Sequence, residues 1–451
     1  MTTVENIYLT GNFAPVRDEL SVTDLPVTGT LPPALAGRFL RNGPNPIAPD
    51  PSNYHWFTGD GMLHALELRD GRAVSFRNRW VRTDQACAEL GETPPADQPD
   101  DVFMGGSTLA NTHVVCHAGK ILALTETCLP TEVRPDLSTV GRYDFGGALR
   151  SPMTAHPKID PATGEMHFFG YDIAGPPYLR YHVADESGTL ITSRDITLPA
   201  PVMVHDFAIT PEHIVWFDMP VVYDFSLLGQ RPFPAAWRPE NGTRIGIMPR
   251  SGGDADIAWI EIDPCFVYHS ANAWDDDGRV VVDVPKYSSA FDVDLSGPAD
   301  VASVYERWTI DPAVGTLTSD LLDDRGQEFP RINEGILGRR HRYAYATLTE
   351  FGDTVDLTGV VKHDHDRATS EVHSFGDDGH AGEPVFVADP DATSEDDGWV
   401  LAVVYDGTSG GSSLHVLDAT DFAGAPVAVV GLPQRVPHGF HGSWVPDAAL
   451  V

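Results

Sequence analysis

The sequence predicts an all-β chain folded as a β-propeller. Three observations carry this. Short apolar or alternating runs, each bounded by turn residues, continue from one end to the other. The 42 glycines and 37 prolines are spread along the whole of the 451 residues, punctuation that suits strands and tight turns rather than long helices. Few stretches have a convincing helical period. Small strand units over such a length are most economically closed by radial repetition, which hides the sheet edges. Seven units take about 64 residues each (451/7), so some loops between strands are long. The repeat is structural, with no clear repeat in the sequence itself. A two-domain β-sandwich is the second choice of fold.

Residues 1–36 are mixed and Pro-containing, and read as an arm wrapped on a single domain that spans 1–451. From Gly37 the hairpins begin. Met62–Leu68 and Ala73–Val81 flank Arg69-Asp-Gly-Arg72, a hairpin signature. Val114–Cys116 and Ile121–Leu124 flank His117-Ala-Gly-Lys120 in the same way. Met166–Tyr171, Tyr178–Val183, Leu190–Leu198, Val280–Val284, Tyr305–Ile310, Leu317–Leu322, Val360–His363 and Glu371–Phe375 follow, each beside a turn. Val400–Tyr405, Ser413–Leu417 and Val427–Val430 complete the series. One stretch breaks the pattern: residues 221–237 are long, apolar and aromatic. They read as an inserted cap, with ordinary packing or a tunnel mouth touching a membrane surface as its two uses.

Composition excludes several roles. The formal net charge is −35, from 65 acidic and 30 basic residues. A surface this negative repels nucleic acid and anionic lipid. Cys87, Cys116, Cys128 and Cys265 show no CxxC spacing and read as free thiols in a reducing compartment. The N-terminus lacks the basic and apolar regions of a signal peptide. No run approaches the ~20 apolar residues of a membrane span. A cytoplasmic monomer, loosely membrane-associated at most, is the expectation.

Four of the 18 histidines share similar surroundings, each in or beside a short apolar, strand-like run. They are His156 (Met153-Thr-Ala-His-Pro157), His205 (Val202-Met-Val-His-Asp-Phe-Ala208), His269 (Phe266-Val-Tyr-His-Ser-Ala-Asn272) and His441 (Gly439-Phe-His-Gly-Ser443). Their separations are 49, 64 and 172 residues (205 − 156, 269 − 205, 441 − 269), about one, one and three propeller units. One histidine on each of four inner strands could meet at a common point. Imidazole suits iron, copper, zinc and nickel. In Arg435-Val-Pro-His-Gly-Phe-His-Gly-Ser-Trp444 a strand would aim His438 and His441 at opposite faces, so one of them serves such a site. Taken singly, each histidine is more often a satisfied core residue than a ligand. His363-Asp-His365 puts two more on one strand face, where they could bind a metal, but it runs into a polar turn and reads as a solvated hairpin tip. His113 and His117 read as structural or exposed.

Ordered motifs along the chain resemble the carotenoid cleavage oxygenase family. They are Gly37-Arg-Phe-Leu-Arg-Asn-Gly-Pro-Asn-Pro46, His55-Trp-Phe-Thr-Gly-Asp-Gly-Met-Leu-His64, Ala155-His-Pro-Lys-Ile-Asp160, Val204-His-Asp-Phe-Ala208, His269-Ser-Ala-Asn-Ala-Trp274, Glu328-Phe-Pro-Arg-Ile-Asn333, Glu383-Pro-Val-Phe-Val387 and Pro437-His-Gly-Phe-His-Gly442. The resemblance implies a seven-bladed propeller with a dome of loops and short helices over an axial non-haem Fe(II). It implies His156, His205, His269 and His441 as the metal ligands and Glu126, Glu328 and Glu383 as the carboxylates behind them. Each Glu would accept Nδ1–H from a ligating histidine, which fixes the tautomer. Thr112 matches a position that in some members crowds the open iron face.

The implied reaction is cleavage of a carbon–carbon double bond by O2 into two carbonyl products. Four histidines leave two positions of an octahedron open, and no general acid or base is required. A branch acting on stilbenoids or phenylpropenes typically has Lys before the first of the three Glu residues, where this chain has Thr125. A long polyene, carotenoid or apocarotenoid, is therefore the favoured substrate. An aromatic alkene is the alternative, a retinyl-ester isomerohydrolase a further one, and a metal-free propeller that only binds ligands is the reading outside enzymes.

Overall fold

The computed structural model describes residues 6–101, 108–173, 175–227, 230, 233–292, 301–351 and 355–450. Residues 1–5 of the N-terminal arm, and 228, 229, 231 and 232 of the 221–237 stretch, lie outside the described residues. Turn chemistry sets the hairpins. Strands Gly61–Arg69 and Arg72–Trp80 join through Asp70 and Gly71, whose φ angles are 53° and 69°. His113–His117 and Lys120–Leu124 join through Ala118 and Gly119, at 49° and 73°. Asn272–Asp276 and Arg279–Lys286 join through Asp277 and Gly278, at 50° and 79°. Positive φ at both central residues matches the right-handed twist of the flanking strands, the reason such two-residue turns favour Asp-Gly.

The chain divides into two compact units. The first holds residues 1–153, 357–360 and 371–451. In one of its sheets the order is Ser21–Thr23, Arg72–Trp80, Gly61–Arg69, Gly37–Pro44, Gly442–Pro446. N-terminal and C-terminal segments are thereby stitched into the same sheet. The last pairing is tight: a Cβ on Gly37 would lie 2.5 Å from the Val445 carbonyl oxygen, so no larger residue fits without moving backbone. A second sheet runs His113–His117, Lys120–Leu124, Thr131–Val133, Thr139–Arg142. A third runs Val27–Gly29, Ala428–Gly431, Gly411–Asp418, Gly398–Asp406, the last pairing both Gly379–Ala381 and Val385–Ala388. Between the sheets lie fully buried side chains such as Phe39, Leu66, Phe76, Leu401 and Leu414, each contributing about 1.5–3 kcal/mol of apolar burial. The arm thus supplies strands to two sheets. Asp84–Leu90 is the α-helix among the described residues, capped by Thr83 Oγ1, which accepts from Ala86 N.

The second unit holds residues 154–356 and 361–370. Three of its sheets are four-stranded meanders: Lys158–Ile159 to Leu190–Thr197, Phe207–Ile209 to Ala258–Glu261, and Asn272–Asp276 to Thr316–Asp323. In the first of these sheets the second strand is the most deeply buried and the last the most exposed. Met166–Tyr171 is buried at every position, whereas Leu190–Thr197 alternates half-buried with exposed positions apart from the buried Ile196. A further sheet runs Gln327–Arg331, Tyr343–Phe351, Val355–Asp364 and Thr369–His373. These seven sheets of four or more strands are the blades of a seven-bladed β-propeller, which overturns the sandwich alternative. Residues 221–237 contain a small two-stranded ribbon, Val221–Tyr223 with Ala235–Trp237. Among the described residues no helix is long and apolar enough to cross a membrane. The four cysteines are free thiols.

Two expectations are corrected. Pro437–His441 is a bend rather than a strand, and pairing starts at Gly442. The glycines explain this. Gly439 packs so closely that a Cβ would lie 2.8 Å from the Asn42 carbonyl oxygen. His363 and His365 are not a solvated tip. Their side chains are 6% exposed and their rings stack at 6.0 Å. Tyr305 packs on His363 at 4.9 Å, and Gln327 Oε1 lies 2.8 Å from His363 Nε2. Tyr305 also lies 6.0 Å from the His365 ring.

Candidate metal centre

Three histidines of the second unit occupy equivalent places in three successive sheets. His156 lies just before the strand Lys158–Ile159, His205 just before Phe207–Ile209, and His269 just before Asn272–Asp276. Each is the last stretch of irregular chain before a sheet's first strand, one step earlier than expected. The three side chains are brought together. Nε2 of His156 is 3.2 Å from Nε2 of His205, and Nε2 of His205 is 3.3 Å from Nε2 of His269. The rings are mutually tilted, with the His156 and His269 centroids 4.9 Å apart at 63°. All three are buried, at 5%, 9% and 8% exposure.

Neutral imidazoles in this arrangement fit a metal ion better than they fit one another. His269 donates Nδ1–H to Glu328 Oε2 at 2.6 Å, so its Nε2 presents a lone pair to the cluster. Two imidazole nitrogens bound at right angles to one ion, at about 2.1 Å each, would lie about 3.0 Å apart. The observed 3.2 and 3.3 Å are close to that edge. Nitrogen-only donors of borderline softness suit iron, copper, nickel or zinc rather than magnesium or calcium.

Glu328 is itself held. Its Oε1 accepts from Tyr287 Oη at 3.1 Å, and its Oε2 accepts from the Phe329 backbone N–H at 2.6 Å. Phe329 has φ of 54°, an uncommon value for a bulky residue, beside this bond. Burial, reinforced by the Glu328 charge, raises the Tyr287 phenol well above its ordinary value, so it stays a donor. Tyr287 went unnoticed in the sequence. It follows the strand Arg279–Lys286, pairs with Phe266, and meets Glu328 across 41 residues of sequence. Around the imidazoles, Tyr268 meets the His205 ring edge-on at 5.4 Å and Phe329 lies 5.6 Å from His269.

In the first unit, His441 precedes Gly442–Pro446 just as the other three precede their strands. Its Nδ1–H donates to Glu383 Oε1 at 3.0 Å, and Gly442 N–H donates to Glu383 Oε2 at 2.7 Å. Its backbone N–H donates to the Thr112 carbonyl at 3.2 Å, while Thr112 Oγ1 donates to Asn111 Oδ1 at 3.0 Å. Burial lowers the Arg41 guanidinium to about 10, partly offset by the nearby Glu383 charge. His438 turns elsewhere, 4.8 Å from Phe13 and 6.2 Å from His380. Glu126 is half-buried in the turn after Lys120–Leu124. Thr125 beside it is buried, with its hydroxyl donating to Asn111 Oδ1 at 3.0 Å.

Asp283, His341 and His365 also gather nitrogen and oxygen donors in the second unit, but a tautomer argument opposes a metal there. Asn272 Oδ1 accepts from Gly338 N–H at 2.9 Å, so its Nδ2–H faces His341 Nδ1 at 3.2 Å. His341 therefore carries its proton on Nε2, which lies 3.2 Å from Asp283 Oδ2. Arg307 clamps both Asp283 oxygens at 2.7 Å. The cluster neutralises a buried carboxylate.

The family model described as retinal pigment epithelial membrane protein matches residues 13–446. A carotenoid cleavage oxygenase of Mycobacterium tuberculosis is 41% identical, with 98% of each chain covered. A carotenoid 9,10(9',10')-cleavage dioxygenase of Arabidopsis thaliana is 35% identical over 98% of this chain and 90% of its own. Among solved structures, Pseudomonas brassicacearum lignostilbene dioxygenase matches with a TM-score of 0.88 at 30% identity, covering 98% of both chains. A variant of Synechocystis apocarotenoid oxygenase matches with a TM-score of 0.85 at 30% identity, covering 96% of this chain and 97% of that one.

Proposed function

The chain belongs to the carotenoid cleavage oxygenase family, and from that premise we propose that it is an Fe(II)-dependent dioxygenase cleaving one carbon–carbon double bond of a carotenoid or apocarotenoid. One alkene and one O2 give two carbonyl products, so the atoms balance without water or a further reductant. The observation that carries the reading is the convergence of the Nε2 atoms of three buried histidines, His156, His205 and His269, at 3.2 and 3.3 Å. In this reading His441 is the fourth ligand, Glu126, Glu328 and Glu383 set the tautomers of ligating histidines, and Thr112 stands at the open face.

Iron, when bound, supplies the redox chemistry of O2. The chain's own residues do the rest. His269 keeps its proton on Nδ1, against Glu328, and presents a lone pair. Glu328 and Glu383 contribute the negative charge that neutral imidazoles lack. Tyr268 and Phe329 line the imidazoles with apolar surface and exclude water. No side chain is asked to move a proton.

Thr125 favours a polyene over a hydroxystilbene, because its buried hydroxyl is engaged with Asn111 and offers no cation to a phenolate. The similarity to a lignostilbene dioxygenase keeps the aromatic alkene as the second reading. Incubation of iron-loaded protein under O2 with a carotenoid, an apocarotenal and a hydroxystilbene separates them. Cleavage of the polyenes supports the first reading, and cleavage of the stilbene alone overturns it. The same proposal has a cytoplasmic monomer that meets lipid-borne substrate through residues 221–237, where Phe225 is 46% exposed.

A further inference from the structure

Each metal-facing histidine of the second unit has a polar residue one or two positions later, and those three residues meet one another. Asp206 follows His205, Ser270 follows His269, and Lys158 stands two positions after His156. Asp206 Oδ2 accepts from both the backbone N–H and the hydroxyl of Ser270, each at 2.8 Å. Asp206 Oδ1 lies 2.7 Å from Lys158 Nζ. The Asp206 side chain is 1% exposed and that of Lys158 is 16% exposed. Asp206 and Ser270 immediately follow His205 and His269, and neighbouring residues of extended chain point to opposite sides, so their bond lies behind those two imidazoles, while Lys158 reaches Asp206 from two positions beyond His156.

A buried carboxylate costs folding free energy unless it is paired and hydrogen-bonded. None of these three residues contributes an atom to the imidazole cluster or to the carboxylate Glu328. From this juxtaposition we propose that Asp206 is a positioning residue for the metal centre: it ties the segments bearing His156, His205 and His269 together and so fixes the spacing of their Nε2 atoms. Ser270 sets the distance between the second and third segments, and Lys158 draws in the first. The inference rests on the metal-centre reading given above.

Metal-depleted full-length protein titrated with Co(II), followed by its visible absorption, tests it. Wild type binds one Co(II) with a defined spectrum. Asp206→Asn keeps one acceptor for Ser270 but loses the charge that holds Lys158. It is expected to bind Co(II) about 10–100-fold more weakly, the range found for residues that orient metal ligands, with a shifted spectrum at saturation. Ser270→Ala weakens binding less, and Ser270→Thr, which keeps the hydroxyl, restores it. If Asp206→Asn folds poorly, the Ser270 pair carries the test alone. Unchanged affinity and spectrum in Asp206→Asn, or in Ser270→Ala, overturns the positioning role while the centre stands. Absence of Co(II) binding by wild type overturns the centre itself and the inference with it.

Discussion

Glu328 and His269 are joined by a short hydrogen bond: Nδ1–H donates to Oε2 at 2.6 Å, while Nε2 of the same ring faces His205 at 3.3 Å. The bond decides which nitrogen carries the proton, and therefore which one can bind a cation. Glu328→Gln should weaken Co(II) binding about 10–100-fold. Tyr287→Phe, which removes only the donor to Glu328, should weaken it by a smaller factor. Equal binding by all three proteins would show that the carboxylate does not tune the imidazole.

The clamp of Arg307 on Asp283 is a stability prediction. Burial by itself would raise the Asp283 carboxyl, but the hydrogen bonds from Arg307 and His341 outweigh it and hold the group well below the usual carboxylate range. Arg307→Met strands that charge, a loss of about 3–5 kcal/mol for a broken buried pair, readable by denaturant unfolding. Because the folded value is depressed, the stabilisation is present above the unfolded carboxyl's value of about 3.9 and fades as pH falls below it. The variant and wild type should therefore converge in stability toward pH 2. A constant gap across that window would contradict the assignment.

Buried neutral histidines predict a second acid effect at milder pH. Burial lowers His167 to about 3 and His182 to about 4. Both depressed values favour the neutral form in the fold, so the stabilisation is complete above the unfolded value of about 6.5 and declines as pH falls below it. Thermal midpoints should be flat from pH 8 to 7 and drop between pH 6.5 and 4. The slope should be shallower in His182→Gln, which keeps a polar group near Ser193, 2.8 Å from the native ring nitrogen.

Phe225 stands 46% exposed in the 221–237 stretch. If this stretch meets lipid, Phe225→Ser should slow turnover of liposome-borne substrate several-fold more than turnover of detergent-solubilised substrate. Equal slowing of both would remove the membrane role.

The hairpins were legible because their chemistry is local. Asp70-Gly71 and Asp277-Gly278 specify a turn from two residues, whatever surrounds them. The blade-by-blade placing of His156, His205 and His269 was legible through spacing and motif together. What escaped depends on contacts between distant segments. Tyr287 reaches Glu328 across 41 residues of sequence, a contact that no local pattern announces. His363 and His365 look solvent-facing beside their polar turn, yet Tyr305 covers them. Pro437–His441 has strand-like composition, but the close approach of Gly439 to Asn42 bends it first.

Metal content tests the central claim most directly. Purified wild-type protein, reconstituted with Fe(II) and desalted, should retain about one iron per chain, as a nitrogen-donor site for a divalent ion predicts. His205→Ala should retain almost none, and His441→Ala markedly less than wild type. Loss of iron should abolish polyene cleavage in parallel. Wild-type protein that cleaves the polyene while free of iron, or His205→Ala protein that keeps a full complement, would contradict the account.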